Sequence, residues 1–162
     1  MDPLRIGIAG LGTVGVGVVR IIQRQANLLA TRAGRAVEIV AVSARARDKD
    51  RGVRLDAFDW MDDPVALAAR PDLDVFVEVM GGEAGAAKDS VEAAIAAGTH
   101  IVTANKAMLA LHGHELALDA EAAGLSLRFE AAVAGGIPVV KTLAEGLAGN
   151  GVTRVIGVMN GT

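Results

Sequence analysis

Short apolar runs rich in Val and Ile alternate along the chain with longer, Ala-rich segments in which apolar residues recur every three to four positions. The runs Leu4–Ala9, Val37–Ser43, Val75–Val79, His100–Thr103, Leu125–Phe129 and Val152–Val158 read as strands. Each is apolar nearly throughout, the pattern of a strand covered on both faces. Between them, Val14–Leu29 carries Val14, Val18, Ile21 and Ile22 at helical spacing, and Lys88–Ala97, Gly113–Ala123 and Ile137–Leu147 are further helical segments. Gly98, Gly124 and Gly149 stand just past three of these, where a left-handed cap favours a residue without a Cβ. Asp62-Asp63-Pro64 has the acids and proline of a helix start. Strand and helix in repetition imply right-handed crossovers and a doubly wound α/β fold, with a mostly parallel sheet and helices on both faces. The polar stretch Arg45 to Arg54 reads as a solvated connection after the second strand, and Asn160-Gly161-Thr162 as a closing turn signal.

Composition narrows the class. A chain of 162 residues that is 52% hydrophobic has ample core for one domain, which excludes intrinsic disorder. The net charge is −3, Tyr is absent, and one Trp and three Phe leave little to stack on bases, so no nucleic-acid partner is expected. The longest uncharged run, Ile6 to Val19, is too short and too glycine-rich to cross a bilayer. No basic segment precedes it, so a cytoplasmic protein without a secretory signal or membrane partner is expected. Zero Cys removes disulfides, thiolate metal sites and cysteine nucleophiles. His100, His112 and His114 form no ligand pattern, and Lys141 reads as solvated on a helix.

One motif carries specific chemistry. Gly10-Leu11-Gly12-Thr13-Val14-Gly15 fits G-x-G-x-x-G, directly after the strongest strand and at the start of the best amphipathic helix. Gly10 allows the tight turn, Gly12 lets the backbone approach a pyrophosphate, and Gly15 lets the helix lie close on the strand. N–H groups near Leu11, Thr13 and Val14 would face the phosphates with the helix dipole behind them. This is the signature of a Rossmann-type dinucleotide-binding domain. An NAD-preferring site carries an acid at the end of the second strand, but here Ser43 stands there, followed by Arg45 and Arg47. A guanidinium grips a 2′-phosphate, so the charges favour NADP over NAD, with Asp48 and Asp50 close enough to oppose that. After the third strand, Gly81 and Gly82 leave the carboxyl edge of the sheet, where a ribose and nicotinamide could approach the main chain.

Further along stand Ile101-Val102-Thr103-Ala104-Asn105-Lys106-Ala107 and Phe129-Glu130-Ala131-Ala132-Val133-Ala134-Gly135-Gly136-Ile137-Pro138. Together with the glycine turn and Asn160-Gly161-Thr162, these segments resemble homoserine dehydrogenase along the whole chain. The resemblance implies NAD(P)-dependent interconversion of homoserine and aspartate 4-semialdehyde, in threonine and methionine biosynthesis, by an enzyme that is a homo-oligomer when intact. It implies cofactor contacts at Leu11, Thr13, Val14 and Thr103. Lys106 would stand beside the nicotinamide and the substrate as the one catalytic lysine present. A monovalent cation, sodium or potassium, would be bound by Glu130 and by main-chain oxygens at Val133, Gly135 and Ile137. Residues 1–162 would form the cofactor-binding domain, and the substrate-binding region would follow Thr162. The chain by itself is therefore expected to fold but to be inactive on homoserine. Two other readings fit the glycine turn: another small amino-acid dehydrogenase, against which the V-T-A-N-K segment argues, and a non-catalytic nucleotide-binding module.

Overall fold

The computed structural model describes residues 1–157. In chain order it contains β1 (Leu4–Ala9), α1 (Thr13–Arg24), α2 (Ala26–Ala33), β2 (Val37–Ser43), β3 (Asp59–Trp60) and α3 (Pro64–Ala68). Then follow β4 (Val75–Glu78), α4 (Ala86–Ala96), β5 (His100–Thr103), α5 (Lys106–Ala122), β6 (Leu127–Arg128) and a short α6 (Val139–Lys141). The strands form one sheet in the order β3-β2-β1-β4-β5-β6, and every neighbouring pair is parallel. Chain direction through the sheet reverses between β1 and β4, which puts a switch point at their carboxyl ends.

Alternate residues of each strand feed two separate cores. On one face Ile6, Ile8, Ile39, Val42 and Val77 pack with Val19 of α1 and with Leu11. On the other, Ala9, Ala41, Phe76 and Ile101 pack with Leu67 of α3, Val91 of α4, and Met108 and Leu116 of α5. Phe76, Ile8, Leu67, Ile101, Met108 and Leu116 are fully buried, each worth roughly 1.5–3 kcal/mol of transfer free energy.

Several boundaries differ from those the pattern predicts. The first helical segment breaks at Gln25 (φ −113°, ψ 24°), whose N–H closes the last turn of α1 on Ile21. The continuation, α2, buries none of its residues, because the apolar seam runs out at Gln23-Arg24-Gln25. Helix α5 starts at Lys106, well before Gly113, because the Asn105 side chain caps it by accepting from the Met108 N–H (3.2 Å). The predicted helix Ile137–Leu147 contracts to α6 and a single wider turn over Thr142–Gly146. The predicted strand Val152–Val158 does not form: residues 152–157 are exposed and join no ladder, with Ile156 82% exposed. Val158 and the turn Asn160-Gly161-Thr162 lie outside the described residues. Asp63 does cap α3, accepting from the Val65 N–H at 2.8 Å.

The amino ends of the strands are tied together by charge. Asp72 accepts from Arg70 Nε (2.8 Å) and Nη2 (2.8 Å) and from Arg5 Nη2 (2.5 Å), while Arg70 Nη1 reaches Asp59 (2.8 Å). The Arg70 guanidinium, with Arg5 behind it, holds the Asp72 carboxyl well below the usual carboxylate range. A group so depressed stabilises the fold above its unfolded pKa of about 4, and that contribution is lost as pH falls below it. The Asp72 side chain is 35% exposed, so solvent screening limits the contribution to about 1 kcal/mol. Asp72→Asn is expected to cost about that much in urea unfolding at pH 7, and the gap to the wild type should close toward pH 2. A gap that does not change with pH would show that the clasp is not electrostatic.

Candidate nucleotide-binding crevice

The turn after β1 is wedged between the ends of β2 and β4. Gly10 donates to the Ser43 carbonyl (2.8 Å), and Val79 donates to the Ala9 carbonyl (2.8 Å). With φ at 102°, Gly10 occupies a region that L side chains avoid, and a Cβ there would lie 2.5 Å from the Val79 oxygen. A Cβ on Gly15 would lie 1.8 Å from the Gly10 oxygen, so α1 can pack this close only with glycine at that position. Gly12 differs: a Cβ there would meet nothing within 4 Å. It faces open space at the start of α1, where no side chain caps the helix. The first N–H groups of α1 therefore lack intrahelical acceptors at an uncapped, open helix start, a ready anion site.

The flanking residues divide in an unforeseen way. Leu11 sends its side chain into the core (7% exposed), so only its main chain is left for a ligand. Val14 is 53% exposed, and Thr13 is also exposed. Arg45 and Arg47 are exposed beyond β2, and their side chains make no hydrogen bond or ion pair among the described residues. Their loop is held by a residue the sequence does not advertise. The Arg51 guanidinium donates to the carbonyls of Leu11 (3.3 Å), Arg45 (3.1 Å), Ala46 (2.8 Å), Arg47 (3.5 Å) and Lys49 (2.8 Å), and it lies 5.3 Å from the centre of the Trp60 ring. Asp50 makes no ion pair with these arginines among the described residues; it accepts from the Gly52 N–H (2.9 Å).

Across the switch point, Gly81 (φ 82°) and Gly82 (φ 97°) follow β4. Beneath them lies Glu78, fully buried at the end of β4. Its carboxylate accepts from the Met80 N–H (2.8 Å) and from the Thr103 hydroxyl (2.6 Å). Thr103 is itself fully buried and reaches the crevice only through such partners. Its oxygen accepts from the Asn105 N–H (3.0 Å), and the Asn105 amide donates to the Gly82 carbonyl (2.7 Å). Lys106 is the next residue, the first of α5, exposed and without a hydrogen bond or ion pair among the described residues. A charged residue at the end of an otherwise apolar strand was the sequence signal for Glu78.

The loop after β6 is a separate feature. Glu130 begins a single 3-10 turn, and one of its oxygens accepts from the Lys141 N–H (3.0 Å). The other, Oε1, is buried without a partner. Ala134, Gly135 and Gly136 all have positive φ, which turns the chain sharply after Val133. The Val133 carbonyl accepts only a long bond from Gly136 (3.4 Å), whereas the Ile137 carbonyl is engaged by Val139 (2.7 Å). An orphaned carboxylate oxygen beside a loop of main-chain carbonyls fits a hard cation, although Ile137 would have to release its bond. Among the described residues no cluster of three or more His, Cys, Asp or Glu side chains could hold a metal, so such a site depends on carbonyls.

The sheet order, the glycine turn and the open helix start define a nucleotide-binding domain of the Rossmann type. Residues 10–130 match the family model described as homoserine dehydrogenase, NAD binding domain. The chain is 43% identical to the homoserine dehydrogenase of Pseudomonas aeruginosa, covering all of this chain and 37% of that protein. It is 45% identical to that of Neisseria gonorrhoeae, again covering all of this chain and 37% of the relative. The crystal structure of a homoserine dehydrogenase from Thiobacillus denitrificans superposes with a TM-score of 0.84 at 41% identity, over 93% of this chain and 34% of that one. This chain belongs to the homoserine dehydrogenase family and corresponds to its NAD-binding domain, spanning little more than a third of the length of these relatives.

Two glycine substitutions separate folding from binding. Gly15→Ala should cost about 3 kcal/mol or more, because its Cβ meets a backbone oxygen that cannot yield. Gly12→Ala should change stability by less than about 1 kcal/mol yet weaken dinucleotide binding at least about tenfold. Thermal unfolding and calorimetric titration of both variants check this, and equal behaviour of the two would contradict it.

Proposed function

We propose that this chain is the cofactor-binding portion of a cytoplasmic enzyme that interconverts homoserine and aspartate 4-semialdehyde, using NADP(H) in preference to NAD(H). The observation that carries the reading is the open, uncapped start of α1 at the switch point, with Lys106 starting α5 after β5 at the same carboxyl edge of the sheet. The pyrophosphate would lie on the main chain of Leu11, Gly12, Thr13 and Val14. The adenosine half would extend toward Arg45 and Arg47, and the other half toward Gly81, Gly82 and Lys106. Bound there, the dinucleotide would supply the hydride acceptor for oxidation of the homoserine alcohol carbon.

Lys106 would orient the substrate oxygens from a position just outside the strand ends. Its ammonium has no carboxylate partner among the described residues, and it opposes the positive end of the α5 dipole, so an anionic or polar ligand would relieve both. Turnover also needs a group that fixes the substrate and one that takes the hydroxyl proton. We assign these to the part of the relatives' length that this chain does not span, together with the contacts that build a homo-oligomer. NADPH formation from homoserine by this chain alone, at the rate of a full-length relative, would contradict that assignment.

NADP preference rests on the absence of an acid at Ser43 and on two guanidiniums, unpaired among the described residues, in a loop that Arg51 holds in place. Calorimetric titration should show NADP+ binding at least as tightly as NAD+. Arg45→Ala with Arg47→Ala should weaken NADP+ about tenfold and leave NAD+ within about twofold. Equal losses for both ligands would contradict the preference.

The second site we propose is a sodium or potassium site formed by Glu130 Oε1 with the carbonyls of Val133, Gly135 and Ile137. The buried, partnerless Oε1 supports it. Hydrogen exchange of the 130–141 loop should slow when sodium or potassium replaces a bulky organic cation, and Glu130→Ala should abolish that difference without unfolding the domain. Exchange that is the same in every salt would exclude the site.

A further inference from the structure

The fully buried carboxylate of Glu78 is engaged by neither the glycine turn nor the arginine loop, and its burial is costly unless its contacts compensate. Both of its oxygens are used. One holds the Met80 N–H at the root of the Gly81–Gly82 loop, and the other holds the Thr103 hydroxyl at the end of the next strand. From Thr103 the bonds continue to the Asn105 N–H, and from the Asn105 amide back to the Gly82 carbonyl. The circuit is closed. It grips the loop at both Met80 and Gly82, and it includes the residue that caps α5 and immediately precedes Lys106.

An apolar residue at this buried position would serve the core at lower cost, since the rest of β4, Val75, Phe76 and Val77, is hydrophobic. What a carboxylate adds is two fixed acceptors at the carboxyl edge of β4. They reach backbone and hydroxyl donors on two separate segments at once. Gly81 and Gly82 sit at φ 82° and 97°, where a free glycine loop would sample many conformations. The bonds at either end of the loop remove that freedom before any ligand arrives.

We propose that Glu78 is the positioning residue of the nicotinamide-side half of the crevice. Through Thr103 and Asn105 it presets both the Gly81–Gly82 loop and Lys106. The inference rests on the dinucleotide reading above and deepens it. Glu78 touches neither cofactor nor substrate; it acts through main-chain groups and the helix cap.

The test compares NADP+ with 2′-phospho-ADP-ribose, the same ligand without its nicotinamide ring, on the 162-residue chain. Glu78→Gln and Thr103→Val should each weaken NADP+ about tenfold and leave 2′-phospho-ADP-ribose within about twofold, while Thr103→Ser restores the wild-type ratio. A merely structural role would lower the melting temperature and weaken both ligands alike, and that result overturns the proposal. So does unchanged NADP+ affinity in Glu78→Gln, or wild-type affinities that are equal for the two ligands. If Glu78→Gln does not fold, Thr103→Val carries the comparison, and failure of both to fold assigns the circuit to stability alone. A wild-type chain that binds neither ligand would instead overturn the dinucleotide reading, and this inference with it.

Discussion

The Gly15 α-carbon lies so close to the Gly10 carbonyl that a single added carbon would stand 1.8 Å from that oxygen, and this contact sets the geometry of the whole crevice. It draws the start of α1 onto the end of β1, and it does so between β2 and β4, which clamp the turn through the Ser43 carbonyl and the Val79 N–H. With the helix held there, its unpaired N–H groups have one direction to face. Everything further out, the arginine loop on one side and the Gly81–Gly82 loop on the other, is arranged around that fixed point. The parallel sheet supplies the frame, because only a switch in strand order leaves a gap at the carboxyl edge for the turn to occupy.

The two ends of the sheet use polar groups for different purposes. At the amino ends, Arg5, Arg70, Asp59 and Asp72 form a partly exposed ionic clasp that joins neighbouring segments. At the carboxyl ends the polar groups are buried and hydrogen-bonded to main chain, as with Glu78, Thr103 and Asn105. The first arrangement tolerates solvent and salt poorly but needs little precision. The second fixes loop positions to hydrogen-bond accuracy, which a ligand crevice requires.

Much of this was legible in the sequence. The ranges of β1, β2 and β5 coincide with their apolar runs; β1 and the end of β2 are covered on both faces as that pattern implies, whereas β5 leaves His100 and Val102 exposed on one face. The glycine turn was legible because Gly10 and Gly15 are sterically required where the turn meets the sheet and α1, while Gly12 completes the pattern at an open position. The chain after β6 was not, because its apolar residues lie on short, irregular turns where periodicity says nothing about burial. The start of α5 was hidden by its apolar character on every side, and only the Asn105 cap marks it. Arg51 was invisible for another reason. Its partners are carbonyl oxygens, which carry no side-chain signature, so a residue that organises a loop looked like one more charge in a polar stretch.

That last point bears on how this crevice can change over evolutionary time. Arg51 reads the backbone of its loop and not the side chains, so the hydrogen bonds that hold the loop do not depend on which side chains stand at Arg45, Arg47 or Lys49. Its position over the Trp60 ring gives it a further contact outside the loop. The exposed side chains of this loop can therefore be exchanged one at a time, each presented on the same scaffold. Changes in the charge that the loop presents then require no refolding of the domain.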